Sequence, residues 1–289
     1  VGSGEVERSH ACADLNREIL TAPAVKALDW NVARIFRGAS WHVDCVRDER
    51  TFTLEVPPGL RPLLYSRRRT SPITVVDDCV STIGHVIGSV GIPLTEVGEL
   101  TANGTPVSAS WRPTPGAVVT LLERARPQAA PTEPPRFILD VHLGTLARRM
   151  RLLGIDAQWR NAATDDELIV LAARERRVIL TRDRGLLLRR AARDGAYVRG
   201  DDPESQLEDV LDRFAPPLAP WSRCLTCNGL LEPAAKSDVI DKLQPGTRRT
   251  YESFARCAGC GRVYWEGAHH PRLTEIVAKA TARQTRSFT

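Results

Sequence analysis

The spacing of apolar residues changes character along this chain, and each change marks a stretch of different structure. Over 32–123 the pattern is β-rich. Thr51-Phe-Thr-Leu-Glu-Val56 alternates as a half-buried strand does, and Ile73-Thr-Val-Val76 predicts another. Val80, Ile83, Val86, Ile87 and Val90 recur at helical spacing, Gly91 closes that helix and Pro93 prevents its return. Asn103-Gly104 favours a tight hairpin turn, and Val118-Val-Thr-Leu-Leu122 forms a last strand introduced by Pro115-Gly116. Residues 126–135 hold four prolines and nothing to pack, which predicts a stiff linker. Beyond it, short buried strands alternate with amphipathic helices. Phe137-Ile-Leu139 precedes a helix with Leu143, Leu146, Ala147, Met150 and Leu153 on one face and Arg148, Arg149 and Arg151 on the other. Strand Ile155–Trp159 leads to the capping box Thr164-Asp-Asp-Glu167 and the helix Leu168–Glu175. Val178-Ile-Leu180, a helix Gly185–Arg193, Tyr197-Val198 and a helix opened by Asp202-Pro203 and reaching Phe214 complete the series. Repeated βα units predict a parallel sheet covered on both faces.

A length of 289 residues exceeds what one core usually supports. With 42% hydrophobic and 26% charged residues, the composition excludes collagen-like, disulfide-dense and mostly disordered chains. No apolar run approaches the ~20 residues of a membrane helix. Val1 to Asn16 is polar, without the apolar core of a signal peptide, so a cytoplasmic location is expected. Charge is unevenly placed. Only four cations are Lys and 36 are Arg, and between Arg136 and Arg199 there are 14 Arg against eight acids. That local balance of +6 exceeds the whole chain's +5, so the basic charge concentrates in one segment, as a phosphate-binding surface requires.

The acids in that segment follow the strands. Asp140 ends the first, Asp165 and Asp166 follow the second, Asp183 the third, and Asp201 and Asp202 the fourth. Groups beyond the carboxyl ends of parallel strands converge on one crevice, and acids meeting there repel unless a cation neutralises them. Hard, oxygen-seeking Mg²⁺ or Mn²⁺ suits that set, and Arg148, Arg149, Arg151, Arg182 and Arg184 supply charge for a polyanion such as RNA. Asp165 and Asp166 are each equally explained as a helix cap, and Asp202, before Pro203, is better explained as one. Asp140 and Asp183, each directly after a buried strand, have no such structural duty.

Cys224-Leu-Thr-Cys227 and Cys257-Ala-Gly-Cys260 are two Cys-x-x-Cys knuckles 29 residues apart. Four thiolates so spaced predict a structural Zn²⁺ site in preference to a redox pair or disulfides. Cys12, Cys45 and Cys79 lack such partners and are expected to be free thiols. Tyr264, Trp265, His269 and His270 follow the second knuckle. They can stack on RNA bases or simply pack a small domain.

Two resemblances organise these readings. Strand, helix, turn and final strand over 31–125 resemble the ubiquitin-like β-grasp fold, closest to small sulfur carriers. Those act through a free C-terminal Gly-Gly, whereas Leu122-Glu-Arg-Ala125 runs on into more chain, so docking or regulation is the expected role. Asp140-Val-His-Leu-Gly-Thr-Leu-Ala-Arg-Arg-Met-Arg-Leu-Leu-Gly154, Thr164-Asp-Asp-Glu-Leu168 and Ile179-Leu-Thr-Arg-Asp-Arg-Gly-Leu186 resemble the Mut-seven-C family of PIN-like ribonuclease domains, whose bacterial members often carry a ubiquitin-like domain in front. The resemblance spans roughly 136–275. It implies an α/β fold: a PIN-like parallel sheet with helices on both faces, an N-terminal β-grasp domain and a C-terminal zinc ribbon. It implies catalytic acids at Asp140, Asp165 or Asp166, and Asp183, with Asp201 or Asp202 as a fourth, and hydrolysis by metal-activated water. Thr145 stands where the family has Lys, which removes a cation from phosphate binding. The expected organisation is an extension over 1–30, the ubiquitin-like domain over 31–125, the linker, the PIN-like domain over 136–218, the ribbon over 219–275 and a solvated basic tail over 276–289. The expected activity is metal-dependent RNA hydrolysis. The alternatives are a catalytically weak RNA-binding factor on tRNA or the ribosome, with the ubiquitin-like domain making a protein contact, and a nuclease silenced by its own N-terminal domain.

Overall fold

Three sheets follow one another in the computed structural model, which describes residues 50–66, 71–268 and 270–287. The extension expected over 1–30, the start of the 31–125 domain, Cys12, Cys45 and His269 lie outside the described residues.

In the first sheet β1 (Thr51–Glu55) pairs antiparallel with β2 (Ile73–Val76) and parallel with β5 (Val118–Glu123). β3 (Val97–Ala102) and the short β4 (Thr105–Pro106) follow, giving the order β2-β1-β5-β3-β4 of a β-grasp. Asn103 and Gly104 have φ of 50° and 80°, the left-handed pair that a two-residue hairpin needs. Helix α1 (Ile83–Ser89) starts after Thr82, whose side chain accepts from the His85 amide. Val80 therefore falls outside the helix and stays exposed, although its spacing matches. Ile83, Ile87, Leu54, Val119 and Leu121 close the core between helix and sheet.

The second sheet, order β7-β6-β8-β9, is parallel throughout. It is built from β6 (Phe137–Leu139), β7 (Ala157–Trp159), β8 (Val178–Thr181) and β9 (Gly195–Tyr197). Because side chains alternate along a strand, Phe137, Leu139, Val178 and Leu180 face one way and Ile138 and Ile179 the other. The first face packs α2 (Gly144–Leu152) and α5 (Pro203–Phe214); the second packs α3 (Asp165–Glu175) and α4 (Arg184–Leu188). α4 is shorter than the expected 185–193. Leu186 and Leu187 fill the core, the apolar run ends at Leu188, and Arg189 turns to extended backbone.

The third sheet holds β10 (Leu231–Ala234), β11 (Phe254–Cys257) and β12 (Val263–Tyr264), all antiparallel. Helices α6 (Lys236–Val239) and α7 (Pro245–Thr250) lie between β10 and β11 in the chain. Where it is described, as far as residue 287, the tail expected over 276–289 is part of a helix, α8 (His270–Ser287). Ile276, Val277 and Ala280 recur at helical spacing and pack on the α2–α5 face, while Arg283 pairs with Asp212 at 2.7 Å and Glu208 at 3.3 Å. A basic composition hid an amphipathic helix.

The linker is also held down: Gln128 donates its backbone amide to Arg213 O at 2.5 Å, and Ala130 packs against the PIN-side core. Gly154 marks where the ribbon segment crosses the parallel sheet's helices. Its φ is +82°, and a Cβ there would stand 2.1 Å from the Ala219 carbonyl oxygen, so only glycine permits that approach. Among the described residues no helix is long and apolar enough to cross a membrane.

Candidate active site and metal centre

The register of β6 against β8 pairs Leu139 with Leu180, which brings Asp140 and Thr181 side by side at the carboxyl edge of the sheet. Asp140 is only 7% exposed. Its Oδ1 accepts from the His142 amide at 3.2 Å and its Oδ2 from the Thr181 hydroxyl at 2.7 Å. Thr181 Oγ1 in turn accepts from the Asp183 amide at 2.9 Å, and the Asp183 carboxylate accepts from the Gly185 amide at 2.7 Å, capping α4. One buried hydroxyl thus ties together the positions of two strand-end acids. Sequence reasoning assigned Thr181 no role. Its signal was a hydroxyl ending a strand that is buried along its whole length.

The other acids stand further out. Thr164 and Glu167 form both halves of the capping box, so neither Asp165 nor Asp166 is the cap of α3. Bonds from the Thr164 amide and hydroxyl hold the Glu167 carboxyl below the usual carboxylate range. Asp165 and Asp166 sit exposed in the first turn and share Arg189, which lies 4.0 Å from Asp165 and hydrogen-bonds Asp166. Asp201 is fully exposed and pairs with Arg182 at 3.0 Å. Asp202 is the cap of α5. The Ser205 hydroxyl and the amides of Ser205 and Glu204 hold its carboxyl low. The structure therefore joins Asp140 to Asp183 through Thr181, and leaves Asp165, Asp166 and Asp201 paired to arginines.

The five arginines divide. Arg148 is exposed on α2 and Arg149 half-buried beside it, with Thr145 exposed one turn earlier. Arg182 is shared with Asp201. Arg184 donates to the carbonyls of Leu63 at 2.5 Å and Leu64 at 3.3 Å and lies over the Tyr65 ring, so it faces the β-grasp domain. Arg151 needs a correction: it is 2% exposed and cannot reach a phosphate. Its guanidinium donates to Ala157 O at 2.7 Å, Leu225 O at 3.1 Å and Thr226 O at 2.9 Å, joining α2 to the first cysteine knuckle.

The four cysteines lie within 4.8 Å of one another, the one such group of metal-binding side chains among the described residues. Cys224 Sγ is 3.7 Å from Cys260 Sγ, and Cys227 Sγ 3.4 Å from Cys257 Sγ. A tetrahedron with Zn–S bonds of ~2.3 Å has edges of about 3.8 Å, so the spacing fits zinc. The amides of Cys227 and Cys260 each point back at the first sulfur of their knuckle, at 3.4 Å, as thiolates require. The set is a structural zinc site, closed by four sulfurs and without an open position for chemistry.

Comparison with protein families decides the identity. Residues 135–277 match the family described as Mut7-C RNAse domain, and residues 50–131 the one described as Mut7-C ubiquitin. The chain belongs to the Mut7-C family. No curated protein and no solved structure matches it. The Mut7-C domain is a PIN-like ribonuclease fold, and the chain is a ribonuclease with a ubiquitin-like domain in front.

Asp156 anchors the Mut7-C ribbon to the Mut7-C sheet. It accepts from Arg177 at 2.6 Å and from Asn228 Nδ2 at 2.7 Å, while Asn228 Oδ1 accepts from the Ala157 amide. Arg223 adds a longer pair at 3.7 Å. Burial alone would push the Asp156 carboxyl up, but the hydrogen bonds from Arg177 and Asn228 outweigh it and hold the group below its ordinary value. A lowered folded pKa means the contribution is complete above the unfolded value of ~3.9 and is lost as pH falls through the folded one. Between about pH 5 and pH 2, the urea midpoint of the wild type is therefore expected to fall more steeply than that of Asp156→Asn. Parallel pH profiles for the two proteins would remove Asp156 from this role.

Proposed function

We propose that RNA phosphodiesters are hydrolysed at the carboxyl edge of the parallel sheet, where Asp140, Asp183 and one of Asp165 and Asp166 hold Mg²⁺ or Mn²⁺, with Asp201 as a further acid. The observation that carries this reading is the Thr181 hydroxyl, which donates to Asp140 and accepts from the Asp183 amide. A buried carboxylate already oriented by two hydrogen bonds keeps lone pairs for a cation and does not need to reorganise to use them. A cation bound there supplies Lewis acidity and lowers the pKa of attacking water. Asp140 and Asp183 would place that charge at the strand ends, and Arg148 and Arg149, on the helix that follows Asp140, supply phosphate-binding charge. Arg182 and Arg189, paired here with Asp201 and with Asp165 and Asp166, would be free for phosphate if those carboxylates held a cation. The β-grasp domain serves as a docking module for a protein, its outer strand face leaving Val76, Val118 and Leu122 exposed.

The test is cleavage of end-labelled small RNA by protein dialysed free of Mg²⁺ and Mn²⁺ but retaining its zinc, with and without added Mn²⁺ or Mg²⁺. Asp140→Asn and Asp183→Asn are each expected to lower metal-dependent cleavage by at least about 100-fold with an unchanged unfolding midpoint. Full activity in either variant removes that acid from the site. RNA that is bound but left intact by the wild type would instead favour a binding factor, with Thr145 as the first position to restore to Lys.

A further inference from the structure

A groove of about 1210 Å³ opens on the ribbon, between β11, β12, the C-terminal end of α2 and the start of α8. It is larger than the ~300–1,000 Å³ of most small-molecule pockets and it opens to solvent, which suits a chain more than a compact ligand. Its walls are aromatic: Trp221, Phe254, Tyr264, Trp265 and His270. Two of these, Trp221 and Trp265, are 38% and 40% exposed, unusual for the largest apolar side chain on an otherwise polar domain.

Trp221 is held there at a cost. Its φ is 65°, in the left-handed region that a bulky residue avoids, and its amide is fixed by the Leu152 carbonyl at 3.0 Å. In that pose its ring stacks on His270 with centroids 4.7 Å apart and planes 20° from parallel. A stack half open to solvent is a ready platform for one more flat ring. The lining holds three cations against the single acid Glu266: Arg223, already bound to the Gly154 and Asn228 carbonyls and paired with Asp156, Lys242, bonded to the Gly261 carbonyl at 3.2 Å, and Arg262. Arg262 is exposed and makes no ion pair among the described residues. An aromatic platform beside an uncommitted cation suits a strand in which every unit carries both a π face and a phosphate; a peptide supplies rings and anions only at particular residues.

We propose that this groove binds single-stranded RNA, seating unpaired bases against Trp221 and Trp265 with their phosphates beside Arg262. The proposal deepens the ribonuclease reading. It makes the substrate single-stranded and gives it a binding site away from the cleaved bond. Helix α2 connects the two: Gly144 begins it at the catalytic edge, Leu152 ends it at the groove, and Arg148 and Arg149 lie between. Nine residues of helix span about 13 Å, so a strand running along α2 can occupy both places.

The experiment is fluorescence anisotropy of a labelled 12-nucleotide oligouridylate and of an RNA duplex of equal length, titrated with full-length, zinc-replete Asp140→Asn protein. Single strand is expected to bind tighter than duplex. Trp221→Ala and Trp265→Ala are each expected to weaken the oligouridylate by about 5- to 150-fold. Arg262→Ala, an exposed change that leaves the packing alone, is expected to reduce the slope of log affinity against log salt by about one. Unchanged affinity and slope in Trp265→Ala and Arg262→Ala, both folded, overturn the proposal and leave the groove to a protein segment. Wild-type cleavage of the same oligomer separates the two claims. Cleavage without any effect of the ribbon variants sinks the groove alone, and binding through the groove without cleavage sinks the active site alone.

Discussion

Arg213→Ala is expected to destabilise the described unit by about 3–5 kcal/mol, seen as a lowered urea midpoint. Arg213 lies near the end of α5 in the Mut7-C domain, and Glu96 lies in the β-grasp domain, 117 residues earlier. Their side chains are 4% and 1% exposed, and the guanidinium meets both carboxylate oxygens, at 2.8 and 3.0 Å. Glu96 Oε1 also accepts the Tyr197 amide at the end of β9, and Arg213 Nε donates to Gln128 in the linker at 2.8 Å. Every group in this knot is satisfied by another member, so removing the cation leaves a carboxylate in the interior with the Tyr197 amide as its hydrogen-bond donor and only the charge of Arg124 acting on it. The penalty is that of an unpaired buried charge, much larger than the net worth of the pair.

A control separates these quantities. Replacing both partners, as Glu96→Leu with Arg213→Met, removes the stranded charge and is expected to cost far less than Arg213→Ala alone. A loss below about 1 kcal/mol in Arg213→Ala would mean that the domains hold together without the pair. The same variant bears on the idea of a nuclease silenced by its N-terminal domain. Arg184, next to Asp183, is anchored on Leu63 and Leu64 of the β-grasp domain. Loosening the domains should therefore lower cleavage by freeing the start of α4, whereas a silenced enzyme would become more active.

Loss of zinc is the second large effect. The ribbon's own core consists of Val239, Leu243 and Phe254, too little apolar burial to order the segment from Cys224 to Tyr264. Zinc binding to such a site contributes roughly 10–16 kcal/mol of apparent free energy, which is folding energy here. Cys257→Ser, or stripping with a strong chelator, is thus expected to unfold the ribbon and release its single zinc ion. The damage should spread. Arg151, the buried arginine of α2, would lose the carbonyls of Leu225 and Thr226, and Asp156 would lose Asn228. Tryptophan fluorescence should follow the zinc, since Trp221 and Trp265 flank the ribbon's groove. A Cys257→Ser protein that keeps full zinc content and unchanged fluorescence would contradict the site.

Much of this architecture was legible in one dimension because the forces behind it act locally. The capping box of α3 needs only Thr164 and Glu167, three residues apart, and forms as its spacing predicts. The hairpin needs two residues that tolerate positive φ, and Asn103-Gly104 supplies them. Alternation along β6 and β8 sets which side chains face each helical layer, and the Cys-x-x-Cys knuckles turn their own amides toward sulfur. Where spacing misled, a local competitor won: the Thr82 cap started α1 after Val80, and the apolar run of α4 ended at Leu188.

Charged residues were the illegible part. Arg148 and Arg151 sit on the same helix with the same local signature, yet one is exposed and the other buried on three carbonyls. Arg213 reads as an ordinary cation at a helix end until Glu96 arrives from another domain. The alternating periods, the caps, the knuckle spacing and the acids at the strand ends were determined by the sequence alone. The use of Thr181, the docking of α8, the ribbon groove and the division of the arginines between phosphate and structure were decided only by tertiary contacts. The reason is physical: periodicity and capping depend on neighbours within a few residues, whereas the state of a buried charge depends on whichever partner the fold brings within hydrogen-bonding reach.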